Sequence, residues 1–497
     1  MSDALAAARE ALAGARAWVV GGAVRDALLG RDVDDVDVVV DGDVAAAAKA
    51  LGRHAGGPAF ALSDTFGAWR VIGPDRRWQV DLMPVQGGGL HADLARRDFT
   101  VNAMAEPLAG GALEDPFHGR EDLAARRLRM VTPIAFDDDP LRVLRLARFA
   151  CELGFGTDPG TVEAARHAAR AIADVAGERV FAELRRVVAA DTALDGLALM
   201  DDLGLTAHVL PELAAMRGVA QNRYHHLDVH DHTLAVLEEA IRLEREPAAV
   251  LGDDAVGARV RAFLAEPFAD GLTRGGALRF GALLHDVAKP ETQARDEHGE
   301  VLGFPGHAEL GACEAREVLA RLRTSERLRA HVAALTRHHL GLGFLTHRAP
   351  LQRRDLFKYL MKTQPVPVDV SLLSIADRLA TRGRKAQEAI ERHLALARVV
   401  LPEALDFDPR AAPLVRGDEL AAALGVQPGR ELGRLLLEVA EARFAGEVAT
   451  RDEAVALGGA REVPRAVARQ DLVEEPERGG SPCGSRGAAA PGRRWRT

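Results

Sequence analysis

Residues 18–41, WVVGGAVRDALLGRDVDDVDVVVD, decide how the first third of the chain is read. Trp18–Val20 is a strand-like apolar run, Gly21 and Gly22 turn into a short helical segment, and a second strand opens on carboxylates. On a strand, the i, i+2 spacing of Asp35 and Asp37 puts both side chains on one face and Val36, Val38 and Val40 on the other. Two carboxylates forced together repel, and a divalent cation is the usual remedy. The glycines leave backbone N–H groups open at a helix start, which suits a phosphate. Alone, the two halves read as a turn and a solvated strand edge. Joined through Arg25 and Asp26, they are the minimum equipment for metal-assisted nucleotidyl transfer.

GGAVRDALLGR followed by DDVD resembles the signature of the class II tRNA nucleotidyltransferase and poly(A) polymerase family. DLARRDFTVNAMA (93–105) is similar to the family's RRDFT-N motif, and the resemblance implies nucleotide contacts at Arg97, Asp98 and Asn102. The chemistry agrees: Arg97 can meet a triphosphate or base edge as a planar fork, and Asn102 can hydrogen-bond a ribose hydroxyl. EDPFHGREDLAARRLRMV (114–131) looks like the family's link from catalytic head to neck, and VAGERVFAELRRVV (175–188) like the segment after the neck. Asp81, in WQVDLMPV, is the natural third carboxylate of a two-metal site with cations about 3.5–4 Å apart. The family often has Glu followed by TTFR there, whereas this chain has DLMPVQ.

DDDPLRVLRLARF (137–149) bears on base choice. Pro140 suits a first helical turn, so Asp139 and Arg142, three apart, share a helix face. A carboxylate accepts from an exocyclic amine and a guanidinium donates to an unprotonated ring nitrogen. Cytosine and adenine offer that combination; uracil and guanine offer the reverse. The family's EDxxR motif is taken to make this choice, with Asp138 here in place of its Glu. The plain alternative for Asp139 is a helix cap. Arg142, Arg145 and Arg148 step by three, a stripe suited to phosphates and an RNA 3′ end, or else a solvated face.

Downstream, HDHTL, LLHDVAKP, GHAELGA, TRHHLG and ADRLATRG place imidazoles and carboxylates on successive helical runs, a donor set suited to metals. Their order resembles the HD phosphohydrolase superfamily and implies ligands at His232, His285, Asp286, His307, His338 and Asp377. Lys289 would pair with a substrate phosphate or cap its helix.

A length of 497 residues exceeds one core, and 4% aromatics with abundant Ala, Leu, Val and Arg favours helices packed through small aliphatics. The fold expected is an α+β nucleotidyltransferase head (1–135), then a mostly α-helical remainder: a nucleotide- and RNA-binding neck (136–222), an HD-type metal-binding domain (223–400), a tRNA-contacting C-terminal module (401–457) and a disordered Gly-, Pro- and Arg-rich tail (458–497). Three cysteines without a CxxC exclude a disulfide framework and imply a reducing compartment. With no leader and no apolar run of about 18 residues, a cytoplasmic protein is expected. A net charge of −9 leaves RNA contact to local arginine clusters.

The whole implies a template-independent enzyme adding CCA, or part of it, to tRNA 3′ ends from CTP and ATP. Mg²⁺ is expected at Asp35 and Asp37, with Gly21, Gly22 and Arg25 on the triphosphate, and a divalent metal at the HD domain. Neither membrane nor DNA is an expected partner. The alternatives are an A-adding or CC-adding enzyme, a poly(A) polymerase, or an HD phosphohydrolase whose N-terminal half only binds nucleotide.

Overall fold

The structure is a computed structural model, and it describes residues 3–63, 67–222, 226–348, 350–382 and 386–460. Tyr224 and Arg384, which bound the histidine-rich stretch, and the tail from 461 lie outside the described residues. Two compact units divide after Pro211. Among the described residues, no helix is long and apolar enough to cross a membrane.

The first unit opens with helix α1 (Asp3–Ala11), strand β1 (Ala17–Val20), helix α2 (Gly22–Leu28), strand β2 (Asp35–Val40) and helix α3 (Val44–Ala55). Strands β3 (Ala59–Ser63), β4 (Ala68–Ile72), β5 (Gln79–Pro84) and β6 (Ala105–Pro107) complete a six-stranded sheet in the order β3-β4-β5-β2-β1-β6. Within this sheet, among the described residues, β2 and β5 are the one parallel pair. Asp43 starts α3 by accepting from Ala46 N at 2.9 Å, and Gly56 at φ 68° ends it, a left-handed stop that glycine takes without a Cβ clash.

Strand alternation sets the two faces. Val36, Val38 and Val40 are buried with Ala48 and Leu51 of α3; α1 and α3 pack on β2, β4 and β5. The opposite face buries Val20 and Val39 against Leu94, Ala103 and Ala105, and carries the acids at its open end. Register aligns Phe60, Arg70, Asp81, Asp37 and Val20 as successive cross-strand partners, so all five side chains share that face.

Beyond the sheet the unit is helical. Leu141–Leu153 packs against Gly177–Ala189 and Ala193–Asp202. Gly196 permits the close approach, since a Cβ there would lie 2.8 Å from Val187.

The second unit is built from helices, with two short hairpins at 267–273 and 294–303. Val229–Arg245, Arg274–Leu284, His307–Arg321, Glu326–His338 and Pro367–Ala380 surround the histidine cluster described below. Three last helices, Gly417–Leu424, Arg430–Ala445 and Arg451–Ala460, share a small core of Leu420, Leu435, Val439 and Ala454. The last of them corrects the expectation of disorder from 458. Gly458 belongs to it, and a Cβ there would meet Leu424 at 2.9 Å. The absent side chain is what lets the helix pack.

Candidate active site

Two clusters carry chemistry, one in each unit. In the first unit, Gly21 takes φ 73° at the end of β1, a conformation that disfavours a side chain. A Cβ there would lie 2.8 Å from Arg97 Nη1 and 3.6 Å from Asp37 Oδ2. The glycine bend therefore abuts one of the two acids. Asp35 follows two residues earlier on the same face. Burial raises the Asp37 carboxyl above its ordinary value; the Arg97 charge opposes this, and Asp81 and Asp35 raise it further. Burial together with crowding by like charge is the situation a cation relieves.

A cleft of about 430 Å³ opens here, lined by Gly21, Gly22, Asp37, Asp98 and Asn102 and by the guanidinium groups of Arg25, Arg96, Arg97, Arg142, Arg145, Arg148 and Arg186. Seven arginines against two aspartates make it an anion pocket in a chain of net charge −9. The side chains are preorganised by one another. Arg25 donates to Asn102 Oδ1 at 2.6 Å and to both Asp26 oxygens. Asn102 donates to Asp98 Oδ1 at 3.0 Å, and Arg145 pairs with Asp98 Oδ2 at 2.7 Å. Burial alone would raise the Asp98 carboxyl, but Arg145, Asn102, the Phe99 N–H and Arg142 hold it below its ordinary value. Arg148 is buried, paired to Glu183 at 2.5 Å and Glu152 at 3.1 Å. The stripe at 142, 145 and 148 is thus packed into the cleft rather than solvated.

Two expectations are corrected in geometry. Asp81 shares the acidic face, but Arg70 takes both its oxygens, Nε to Oδ1 at 2.7 Å and Nη2 to Oδ2 at 2.8 Å. As placed, Asp81 is an ion-pair partner and not an open ligand. Asp139 does not join Arg142 in the cleft lining. Its carboxylate accepts from Leu141 N at 3.2 Å and Arg179 Nη2 at 2.8 Å, the capping role open to an Asp before proline. Arg142 donates to the carbonyls of Ala135 and Arg96. Arg70, Arg96, Phe149, Arg179 and Arg186 escape sequence reading, because strand register and helix packing bring them in.

In the second unit, five helices converge on Asp286. His285 Nε2 lies 3.1 Å and His232 Nε2 3.8 Å from its Oδ2; His307 Nε2 and His339 Nε2 lie 3.6 and 3.8 Å from its Oδ1. Asp377 Oδ1 is 3.1 Å from His232 Nε2. His285, His307 and His339 turn Nδ1 to the carbonyls of Ala282, Phe304 and Thr336 at 2.6–2.8 Å. That second shell fixes the tautomer with Nε2 facing inward, as metal-ligating histidines have it. Asp286 Oδ1 is buried with no hydrogen bond among the described residues. Burial and the His285 charge push His339 down to about 4, which keeps its imidazole in the neutral, ligating form. Inward nitrogens, an unpartnered Asp286 Oδ1 and mixed imidazole–carboxylate chemistry fit a divalent metal. Lys289 Nζ reaches Asp286 Oδ2 at 2.6 Å and Gln221 Oε1 at 2.8 Å.

His339 replaces His338 in this cluster. Neighbouring helical residues point about 100° apart, and position 339 continues the buried stripe of Leu328, Val332 and Leu335, whereas His338 turns to an adjoining cleft that it lines with His307, Arg337 and Lys362. Following that stripe along the helix would have chosen the right one of the pair.

Fold and clefts together define a nucleotidyltransferase head followed by helical domains, one of them of HD type. Residues 17–129 match the poly A polymerase head domain, 154–217 the probable RNA and SrmB-binding site of polymerase A, and 229–382 the HD domain. The chain belongs to the tRNA nucleotidyltransferase and poly(A) polymerase family. It is 36% identical over 447 residues to an A-adding tRNA nucleotidyltransferase of Deinococcus radiodurans, covering 88% of this chain and 94% of that one. It is 37% identical over 445 residues to a CC-adding enzyme of Thermus thermophilus (88% and 92%), and 37% identical over 386 residues to a multifunctional CCA protein of Halorhodospira halophila (74% and 85%). Among solved structures, an apo CCA-adding enzyme shares the fold with TM-score 0.61 at 19% identity, covering 91% of this chain and 92% of that one. The Thermotoga maritima CCA-adding enzyme complexed with tRNA shares it with TM-score 0.59 at 20% identity, covering 91% and 94%.

Proposed function

We propose that the chain extends tRNA 3′ ends with C and A from CTP and ATP, in the cytoplasm and without a template. The observation that carries this reading is the apposition of Asp37, the Gly21 bend and Arg97 at the mouth of an arginine-lined cleft. The triphosphate is assigned to Arg25, Arg97 and Arg145 with the open N–H groups at Gly21 and Gly22. Asn102 holds Arg25, Asp98 holds Arg145 and Asp93 holds Arg97, and Asn102 offers a hydrogen bond to the ribose. Base choice is assigned to Arg142 and to Asp139, which would exchange Arg179 for an exocyclic amine. Asp35 and Asp37, hard oxygen donors on one strand face, would hold Mg²⁺, which when bound would supply a lowered pKa for the 3′-hydroxyl and charge stabilisation for the pyrophosphate.

The test is incubation of purified protein with tRNA lacking its CCA end, labelled CTP or ATP and Mg²⁺. Incorporation lost in Asp35→Ala or Asp37→Ala and retained in His285→Ala supports the reading; the reverse pattern refutes it. The relatives divide between A-adding, CC-adding and complete enzymes, so the same assay separates these. A partial enzyme accepts only ATP on tRNA ending in CC, or only CTP on tRNA ending at the discriminator base.

A second reading concerns the HD cluster. Its inward histidines and the unpartnered Asp286 Oδ1 favour a bound transition metal and hydrolysis of a phosphomonoester or cyclic phosphodiester. Metal analysis of the purified protein, with phosphate release from such esters, tests it. Absence of metal, or release unchanged in Asp286→Ala, refutes it.

A further inference from the structure

The acidic face does not end at the acids. Phe60 on β3, Arg70 on β4, Asp81 on β5 and Asp37 on β2 are successive partners across the sheet, so their side chains stand in one row. Strands are about 4.8 Å apart, which places Arg70 and Phe60 about two and three strand spacings from Asp37. Arg70 spends Nε and Nη2 on Asp81. Its Nη1 makes no hydrogen bond among the described residues, and its side chain is 30% exposed. Phe60, next in the row, is 42% exposed, an aromatic ring on the open side of the sheet.

A bidentate ion pair fixes a guanidinium in one plane. Here it leaves Arg70 Nη1 on the sheet face that also carries Asp35 and Asp37. The row therefore presents, in order, acids that would hold the attacking hydroxyl's metal, a fixed cationic edge, and an aromatic platform. A 3′-terminal nucleotide has the complementary order: hydroxyl, then one ribose away its phosphodiester, then the preceding base. Two strand spacings, about 10 Å, separate Arg70 from Asp37 along that row.

We propose that this row seats the 3′ end of the RNA primer, with Arg70 Nη1 on the terminal phosphodiester and the Phe60 ring under a base. Asp81 then acts through Arg70 as a positioning residue. The inference rests on the nucleotidyl-transfer reading above and assigns to that site the strand it extends. It also accounts for Asp81 being closed to a metal.

The test uses full-length protein and tRNA lacking its CCA end. RNA affinity without nucleotide is measured at several salt concentrations, beside KM for tRNA, KM for CTP, kcat and the Mg²⁺ dependence. Arg70→Ala is expected to weaken RNA binding about tenfold and to flatten the salt dependence by about 0.7 in log–log slope, the share of one single-strand phosphate. Arg70→Lys should restore the slope and only part of the affinity. Phe60→Ala should weaken binding about five- to tenfold, the low end for loss of one stacking platform, with the slope intact. Asp81→Asn should follow Arg70→Ala in RNA affinity while KM for CTP and the Mg²⁺ curve stay at wild type.

Variants that keep wild-type RNA affinity and salt slope overturn the proposal. So does an Asp81→Asn enzyme with normal RNA affinity but a shifted Mg²⁺ curve, which would make Asp81 a metal ligand that sheds Arg70. Failure of the wild type to extend both tRNA lacking its CCA end and tRNA ending in CC would sink the functional reading instead, and it shows before any variant is made.

Discussion

The two clusters solve the burial of charge in opposite ways. In the head, acids and guanidinium groups sit around an open cleft, each charge answered by a neighbour: Asp98 by Arg145, Asp81 by Arg70, Asp37 by Arg97. In the HD domain, Asp286 is fully buried and faces a ring of imidazoles held by backbone carbonyls. An open arginine-rich cleft suits a polyanion that comes and goes. A closed ring of nitrogens suits a resident ion. One chain thus holds two divalent-metal candidates of unlike softness, and they should fail independently.

Independence is the largest effect to test. Asp37→Ala should lower nucleotide addition on the order of 10²–10³-fold, the range for loss of one preorganised charge contact at a reacting centre, and leave the metal content of the HD domain untouched. His285→Ala should strip that metal and leave nucleotide addition within a factor of about two. Labelled CTP incorporation and elemental analysis of the same preparations read both. A single variant that abolished both would break the comparison and join the sites into one machine.

Within the HD ring the structure discriminates between adjacent histidines. His339→Ala should weaken metal retention at least about 10–100-fold, because even outer-shell losses cost that much. His338→Ala should retain the metal. Competition with a chelator measures both, and equal loss in the two variants would return His338 to the ligand set.

That pair also shows where sequence reading stops. The head's acids, glycines and nucleotide-side arginines lie in three short windows, 21–37, 97–102 and 139–148, and strand or helix periodicity within each window says which side chains share a face. The α+β head and the helical remainder were legible for the same reason. The HD ring draws one or two residues from within or just past each of five helices between 232 and 377, so its members are visible only as an excess of histidine, and TRHHLG leaves the phase open. Arg70 was hidden for another reason. Its partner Asp81 sits on the next strand in space and in sequence, but the register that matches them is set by a turn with no motif of its own.

A smaller effect sharpens the account of the bend. Gly21→Ala asks a side chain to take φ 73° and to displace the Arg97 guanidinium. The left-handed conformation alone costs about 1–2 kcal/mol. The expected result is a modest fall in the head's unfolding midpoint with a rise in KM for CTP, since Arg97 must move. A change in stability without a change in KM would show that Arg97 does not serve the triphosphate.

The smallest effect is a pH dependence. Burial and the Asp81 and Asp35 charges raise the Asp37 carboxyl, with Arg97 opposing. A raised folded value means that this group's contribution to stability is fully present below its unfolded value, near 3.8, and is lost as pH rises through the folded one. Magnesium ligation reverses the sign, because the ion binds the ionised form and competes with the proton. The stabilisation gained on adding Mg²⁺ should therefore grow as pH rises from the carboxylate range toward neutrality. In Asp37→Asn both the gain and its slope should disappear. Thermal unfolding with and without Mg²⁺ across that range reads the difference. A gain that persists in Asp37→Asn with the same slope would place the Mg²⁺ elsewhere and leave Asp37 as a buried acid balanced by Arg97 alone.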